Sequence, residues 1–147
     1  KDILDKKGRI DRARLSDAAF KEASSIKRLS NIIHPSVIKQ IKQIIRKAHT
    51  CEKPKIVIID APLLIEARLH NICDIVIVVK TSRATQIRRI KKKMRISTEQ
   101  IMARIKNQLP LKNKIRYADY VIDNSGPEVD TNKSVNALYD KIKKSAT

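Results

Sequence analysis

The chain has 147 residues, 41% of them apolar, which suffices for one domain or for a core with a small appended lobe. One Phe, three Tyr and no Trp predict an aliphatic core. No apolar run approaches the roughly 20 residues of a membrane span, and no signal segment opens the chain. We therefore expect a cytoplasmic protein without a membrane partner. Cys51 and Cys73 lack metal-ligand spacing and are expected to be reduced thiols.

The charge is strongly positive, with 33 Lys and Arg against 15 Asp and Glu, a net +18. Such a field attracts polyanions: nucleic acid, phosphorylated small molecules or anionic lipid. Between Lys80 and Arg116 there are 13 basic residues and one acid, Glu99, which gives +12. Two thirds of the excess charge thus lies in a quarter of the chain, although solvated helix faces explain part of it.

The first third of the chain is typical of helices. Asp11 is a suitable N-cap for a helix through Phe20. A second helix is predicted over Ser24–Ile33, where apolar residues recur at helical spacing. His34–Pro35 predicts a break, because the residue before proline disfavours the helical region. Pro35 then suits the first turn of a third helix.

The rest of the chain alternates strands with helices. Ile56–Ile59 and Ile75–Val79 are β-branched and apolar on both faces, as parallel strands covered on both sides are. Tyr120–Ile122 is a weaker third strand. This alternation predicts a parallel α/β sheet. The helices are expected at Arg83–Arg95, Ser97–Leu109, from Pro110 onward, and at Val129–Lys144.

A carboxylate follows the first predicted strand. Ligands collect beyond the carboxyl ends of parallel strands, and phosphate-transfer folds place an aspartate such as Asp60 there to hold magnesium or its water shell. A turn or cap role for Asp60 is the alternative. Pro62 fixes a turn and Leu63 and Leu64 supply an apolar wall, whereas Glu66 suits a helix end, a solvated position or a ligand contact equally well.

The basic segment forms a second candidate element, a helical lid over about residues 83–116. Ser97 with Gln100 is a capping-box pattern that opens its second helix. Guanidinium groups on a closing lid stabilise the charge of a transferring phosphoryl group. A solvated polybasic helix is the alternative for most of these residues, which are Arg88, Arg89, Lys91, Lys92, Lys93, Arg95, Arg104 and Lys106.

Five segments occur in the order found in one enzyme family: DRARL, IIHP, IVIIDAPLLIE, TQIRRIKKKMRISTEQIMARIKNQLP and YADYVIDNSG. From Gly8 to about Gly126 the chain resembles the dephospho-CoA kinases, P-loop kinases that perform the last step of coenzyme A synthesis. The resemblance implies a parallel α/β sheet of P-loop kinase type with helices on both faces, from which the first βα unit is absent. It also implies ATP and dephospho-CoA as substrates and Mg²⁺ as cofactor.

The resemblance implies a division of labour along the chain. Residues 1–50 would form a helical coenzyme A-binding lobe, and residues 51–147 the remainder of the nucleotide-kinase core, including the lid. The implied catalytic residues are Asp60, which also holds the metal, Arg89 and Arg104. The implied substrate-binding residues are Asp11, Arg12, His34, Pro62, Leu63 and Leu64. The implied nucleotide-binding residues are Lys93, Gln108, Asn124 and Gly126. Two of these have simpler alternatives, since His34 could cap a helix end and Asn124 could be a turn residue.

The sequence departs from the family in three ways. Lys93 stands where arginine is usual, and a lysine cannot offer a bidentate fork to phosphate. Lys80 stands at a commonly acidic position. With only Gly8 and Gly126, the chain contains no G-x-x-x-x-G-K-[ST] loop for phosphates and magnesium. Because it also opens on Lys1, we expect it to lack its natural N-terminus and, as written, to transfer no phosphate.

Two other functions stay open. The chain could be another nucleoside or nucleotide kinase of similar shape, since fold does not fix function. It could instead be a P-loop-less basic module that holds nucleic acid non-specifically and in a salt-dependent way. Single-strand binders interleave aromatic residues for base stacking, and between Lys80 and Arg116 there are none.

Overall fold

A computed structural model describes residues 3–20, 22–50, 56–94 and 96–145. Cys51 and Arg95, for which the sequence predicts a reduced thiol and a lid cation, lie outside these residues. The chain divides into two compact units, residues 1–46 and 47–147. Within the described part of the chain, no helix is long and apolar enough to cross a membrane.

The first unit begins with a tight turn that leads into helix α1 (Arg12–Phe20). Asp5 Oδ1 accepts the backbone N–H groups of Lys7 and Arg9 at 2.8 and 2.9 Å. Gly8, at φ 73°, takes the left-handed conformation that the turn requires. Asp11 Oδ1 then accepts the N–H groups of residues 13 and 14 at 3.0 and 3.2 Å. The predicted N-cap of α1 is therefore confirmed.

Helix α2 (Ala23–His49) corrects the prediction of two helices separated at His34–Pro35, because it runs through both residues. An interior proline costs about 3 kcal/mol through a lost hydrogen bond and a steric clash. Two features oppose that cost. Apolar residues recur every four positions across the proline, at Leu29, Ile33, Val37 and Ile41, and extending one helix avoids the unfavourable nucleation of a second.

The second unit contains a parallel pair of strands, β1 (Ile77–Lys80) and β2 (Tyr120–Asp123). They align in register, from Ile77 opposite Tyr120 to Lys80 opposite Asp123. Asp119 closes the amino end, since its Oδ2 accepts the Val76 N–H at 2.7 Å while its own N–H donates to the Val76 carbonyl at 2.9 Å. The predicted parallel α/β sheet is confirmed by this pair.

The predicted strand over Ile56–Ile59 is wrong. Residues 56–60 belong to no ladder within the described part of the chain, and the Ile58 side chain is 82% exposed. A β-branched run becomes a strand only when its backbone N–H and C=O groups find a neighbouring strand. The sequence pattern was suited to a strand, but these described residues supply no such partner.

The helices of the second unit follow the predicted order. Ser97 forms the predicted capping box: its hydroxyl accepts the Gln100 N–H at 3.2 Å and its own N–H donates to Gln100 Oε1 at 3.0 Å. The second lid helix ends at Lys106 rather than Leu109, because Asn107 Nδ2 donates to the Ala103 carbonyl at 2.7 Å and caps it early. The elements are a 3₁₀ turn (Leu69–Ile72), α3 (Arg83–Met94), α4 (Thr98–Lys106), α5 (Leu111–Ile115) and α6 (Glu128–Ser145).

The core of the second unit is aliphatic, as predicted. Its buried residues come from the turn region before β1, from the sheet and from α4, whose Ile101 is fully buried. Lys141 of α6 places its Nζ 5.0 Å from the ring centre of Tyr120, a contact between that helix and β2. The buried side chains of this core are Ile65, Leu69, Val76, Val78, Ile101 and Ile122.

Candidate functional site

The carboxyl ends of β1 and β2 lie together at one edge of the sheet. There Lys80 Nζ is 3.2 Å from Asp123 Oδ2, and the Asn124 N–H donates to the Lys80 carbonyl at 2.8 Å. Hydrogen bonds from Ser125 and from Lys80 hold the pKa of Asp123 below its usual value. Lys80, which departs from the family pattern, thus pairs with the acid in register with it on the neighbouring strand.

Arg89 of α3 holds the loop that follows β2. Its Nη1 donates to the Asn124 carbonyl at 2.7 Å and its Nη2 reaches the Gly126 carbonyl at 3.3 Å. The Asn124 side chain is held from α6, because its Oδ1 accepts the Thr131 hydroxyl at 3.1 Å. One predicted catalytic residue and both predicted nucleotide-binding residues of this loop therefore meet. In this arrangement the Arg89 guanidinium contacts loop carbonyls.

Asp60 and the wall residues lie on a separate segment of the same unit. Asp60 and Pro62 are exposed, while Leu63 and Leu64 are half-buried at the start of a turn in which the Ala67 N–H donates to the Leu63 carbonyl at 2.9 Å. No cluster of three or more His, Cys, Asp or Glu able to hold a metal occurs among the residues that the structure describes. One exposed carboxylate fits Mg²⁺, which keeps several waters and binds through one or two carboxylates plus substrate phosphates.

Glu66 ends this segment and makes a buried contact with the end of the lid. Its Oε1 accepts the Leu109 N–H at 2.8 Å and lies 2.9 Å from Lys114 Nζ. Lys114 Nζ also donates to the Pro62 carbonyl at 2.8 Å and to Gln108 Oε1 at 3.2 Å. We call these five residues the Glu66 clip.

The electrostatics of the clip favour the ionised acid. Burial would raise the pKa of Glu66, but the hydrogen bonds from Leu109 and Lys114 and the charge of Lys114 hold it below its usual value. Only 18% of the Glu66 side chain and 14% of the Lys114 side chain is exposed. Glu66 is therefore neither solvated nor at a helix end, because it joins the wall to the lid. A ligand contact of Glu66 stays a prediction.

The lid itself is a hairpin of α3 and α4. Arg104 Nη1 lies 3.6 Å from Met94 Sδ, which links the two helices. Lys93 is exposed near the end of α3, and Gln108 accepts from Lys114. Arg104 and Lys93 thus lie on the hairpin, whereas Gln108 lies at its base.

The remaining predicted substrate residues lie in the first unit. Asp11 caps α1, and its Oδ2 is 3.5 Å from Arg14 Nε. Arg12, the first residue of α1, is exposed, and His34 is half-buried. Because α2 continues from Ala23 to His49, the alternative that His34 caps a helix end is wrong. A role for these three residues in binding substrate stays a prediction.

A cleft of about 520 Å³ lies beside the Glu66 clip. Its rings, His70 and Tyr117, meet edge to face at 4.8 Å, and Arg68 beside them adopts a left-handed backbone at φ 56°. Buried Glu66 Oε2 and His70 Nδ1 have no hydrogen-bond partner among the described residues. Glu66, for which a ligand contact is one of the expectations, lines this cleft together with Ile65, Arg68, His70, Asn71, Leu109 and Tyr117.

The sequence did not predict the role of Lys114 or the hydrogen bonds from Arg89 to the loop at Asn124–Gly126. Lys114 is one of 13 basic residues between Lys80 and Arg116, and nothing in its local pattern separates it from solvated lysines. Glu66 meets Leu109 across 43 residues of chain, and Arg89 meets Gly126 across 37. The acid that closes D-x-P-L-L-x-E was the one available signal, because it follows an apolar wall where a solvated acid has little reason to lie.

Known proteins similar to this chain include dephospho-CoA kinases. The sequence model of the dephospho-CoA kinase family matches residues 1–130. A dephospho-CoA kinase of Leptospira interrogans is 34% identical over 141 residues, 96% of this chain and 67% of that protein. One from Aquifex aeolicus is 36% identical over 143 residues, 97% of this chain and 70% of that protein.

Solved structures agree with the sequence comparison. A dephospho-CoA kinase from Campylobacter jejuni superposes with a TM-score of 0.63 at 27% identity, covering 100% of this chain and 72% of that chain. A protein from Thermus thermophilus superposes with a TM-score of 0.70 at 25% identity, covering 91% of this chain and 68% of that chain. The described fold is therefore that of a known kinase architecture.

Proposed function

This chain belongs to the dephospho-CoA kinase family, and on that premise we propose that it carries the substrate-binding surfaces and the lid of an ATP-dependent kinase acting on dephospho-CoA. In that reaction the 3′-hydroxyl oxygen bonds to the γ-phosphorus of ATP and the bond to the β–γ bridging oxygen breaks. The hydroxyl proton leaves, and the products are coenzyme A and ADP. This transfer is the last step of coenzyme A biosynthesis.

The observation that carries the proposal is the meeting of Arg89, Asn124 and Gly126 at the carboxyl edge of the sheet. Ligands of open parallel sheets bind at that edge. We assign the loop at Asn124–Gly126 to the adenine of ATP and give Arg89 the role of holding that loop in shape. A guanidinium suits this role because its fork reaches two carbonyls at once.

The other residues take roles consistent with their positions. Arg104 and Lys93, on the lid hairpin, supply positive charge to the transferring phosphoryl group, which is stabilised mainly by such electrostatic contacts. Leu63 and Leu64, with Pro62, line the wall beneath dephospho-CoA. Asp11, Arg12 and His34 of the first unit bind the coenzyme A portion.

Asp60 is the residue that would hold Mg²⁺, which when bound neutralises charge on the phosphates. Its exposed carboxylate leaves the remaining coordination positions to water and to phosphate oxygens. Asp60→Asn should therefore lower the affinity for ATP in the presence of Mg²⁺ and leave the affinity measured in its absence unchanged.

We infer that the 147-residue chain binds its substrates without transferring the phosphoryl group. Phosphoryl transfer in P-loop enzymes depends on converging backbone N–H groups, a phosphate-binding lysine and a hydroxyl for magnesium. The sequence contains no G-x-x-x-x-G-K-[ST] motif that would supply them.

Calorimetric titration of the chain with dephospho-CoA, and separately with a nucleoside monophosphate, tests the assigned substrate. Saturable binding of dephospho-CoA, weakened by Arg12→Ala and unchanged by Lys112→Ala at an exposed position of α5, supports it. Binding of the nucleoside monophosphate with no binding of dephospho-CoA would select a different kinase of the same shape.

A further inference from the structure

The Glu66 clip differs from an ordinary surface ion pair in its burial and in the number of its bonds. Lys114 has three ammonium protons, and its Nζ has three acceptors: Glu66 Oε1, the Pro62 carbonyl and Gln108 Oε1. An exposed ion pair is screened by water and contributes little to stability. Here, however, the side chains of Glu66 and Lys114 are each more than four-fifths buried. Lys114 is therefore held in one position.

The acceptors of Lys114 come from two functional segments. Pro62 belongs to the wall, and Gln108 belongs to the junction where the lid returns from α4. Glu66 contacts both segments, because its Oε1 accepts hydrogen bonds from Lys114 Nζ and from the Leu109 N–H. One carboxylate and one ammonium thus tie the returning end of the lid to the wall.

The first helix of the lid, α3, is fixed by a separate contact. Arg89 joins α3 to the carbonyls of the loop after β2, whereas the clip joins the residues after α4 to the wall. The hairpin between these two anchors carries Lys93 and Arg104. The position of this hairpin relative to the wall depends on both anchors, because each end of the hairpin has a different attachment.

We propose that Glu66 and Lys114 are positioning residues that set where Arg104 of the lid lies relative to the dephospho-CoA wall. The proposal rests on the proposed function, which supplies the substrate that the lid would cover. It assigns an indirect role to these two side chains. Their effect reaches the substrate through Gln108, Leu109 and the Pro62 carbonyl.

The test separates positioning from stability by comparing a single variant with a double variant. Lys114→Met removes three bonds and leaves Glu66 as a buried acid without its ammonium partner, so it lowers both stability and positioning. Glu66→Gln with Lys114→Met removes both charges: it should regain thermal stability, because no buried charge is left uncompensated, and yet still lack the three Lys114 bonds. Lys112→Met on the same helix, at an exposed position, is the matched control.

Two quantities are measured at a temperature at which every variant is folded. One is the dissociation constant for dephospho-CoA by calorimetry; the other is the hydrogen-exchange rate of the backbone amides of residues 97–109. Lys114→Met and the double variant should both weaken dephospho-CoA binding by about tenfold, within the range of couplings measured inside one hydrogen-bonded network. Exchange at Gln108 and Leu109 should accelerate in both and stay unchanged in Lys112→Met.

A double variant that regains wild-type affinity together with its stability would overturn the proposal, because the pair would then be purely structural. Failure of the unsubstituted chain to bind dephospho-CoA would refute the proposed function instead. In that case the exchange rates alone decide the inference about the clip: unchanged exchange at Gln108 and Leu109 in Lys114→Met overturns it, and accelerated exchange supports it.

Discussion

Arg89→Ala should weaken ATP binding by loosening the loop at Asn124–Gly126. The substitution removes one short hydrogen bond of 2.7 Å and one long one of 3.3 Å. Hydrogen bonds from charged donors contribute about 1.5–3 kcal/mol each where water is excluded. Arg89 is exposed and its second bond is long, so we expect a total loss of about 1–2 kcal/mol, roughly a five- to thirtyfold rise in the dissociation constant.

Arg88→Ala is the matched control. Arg88 is exposed and adjacent to Arg89 on the same helix, and its substitution removes the same charge. Calorimetric titration with ATP measures both variants, and Arg89→Lys should fall between them because an ammonium cannot span two carbonyls as a fork does. Equal affinities for Arg88→Ala and Arg89→Ala would refute the assigned role. Weakened binding with unchanged hydrogen exchange at residues 124–126 would instead mean that Arg89 contacts the nucleotide directly.

Four further outcomes follow from the described contacts. The pKa of Glu66 is lowered from its ordinary value of 4.5. The ionised acid therefore contributes stability that is fully present above that ordinary value and is lost as the pH falls through the lowered pKa, so acid unfolding of Glu66→Gln should be less steep. Asp119→Ala should cost about 1–3 kcal/mol in urea unfolding, because the Val76 N–H loses a charged acceptor, and Asp119→Asn less. Ser97→Ala should cost about 1 kcal/mol, the usual value of an N-cap, and Thr98→Ala much less. Binding of the chain to duplex DNA should be weak and fall steeply with salt; affinity that ignores salt would support a dedicated nucleic-acid site.

Elements with strong local signals could be predicted from the sequence. The Asp11 cap and the Ser97–Gln100 capping box depend on residues within a few positions of one another, and both are confirmed. The strands β1 and β2 are confirmed as well, although their pairing joins distant segments such as Ile77 and Tyr120. The break at Pro35 was wrong because a local penalty was weighed without the continuous apolar face that spans it. The strand at Ile56–Ile59 was wrong because pairing depends on a neighbour, which a single segment cannot reveal.

The candidate site also contains residues that local sequence indicates and contacts that it does not. Asp60, Leu63 and Asn124 could be chosen as candidate site residues because they lie in short motifs after apolar runs. The contacts of Glu66 with Leu109 and of Arg89 with Gly126 could not be predicted, since each joins segments about 40 residues apart. Lys114 resembles every other lysine of the lid until the fold buries it. Its contacts with residues distant in sequence, rather than its residue type, distinguish Lys114 from the other lysines of the lid.

The most direct measurement is dephospho-CoA binding and ADP production by the same preparation of the 147-residue chain, with ATP and Mg²⁺ present. We predict saturable binding of dephospho-CoA without dephospho-CoA-dependent ADP production. Absence of binding would contradict the proposed function. Sustained ADP production would contradict the inference that transfer requires the glycine-rich phosphate loop, which this sequence does not contain.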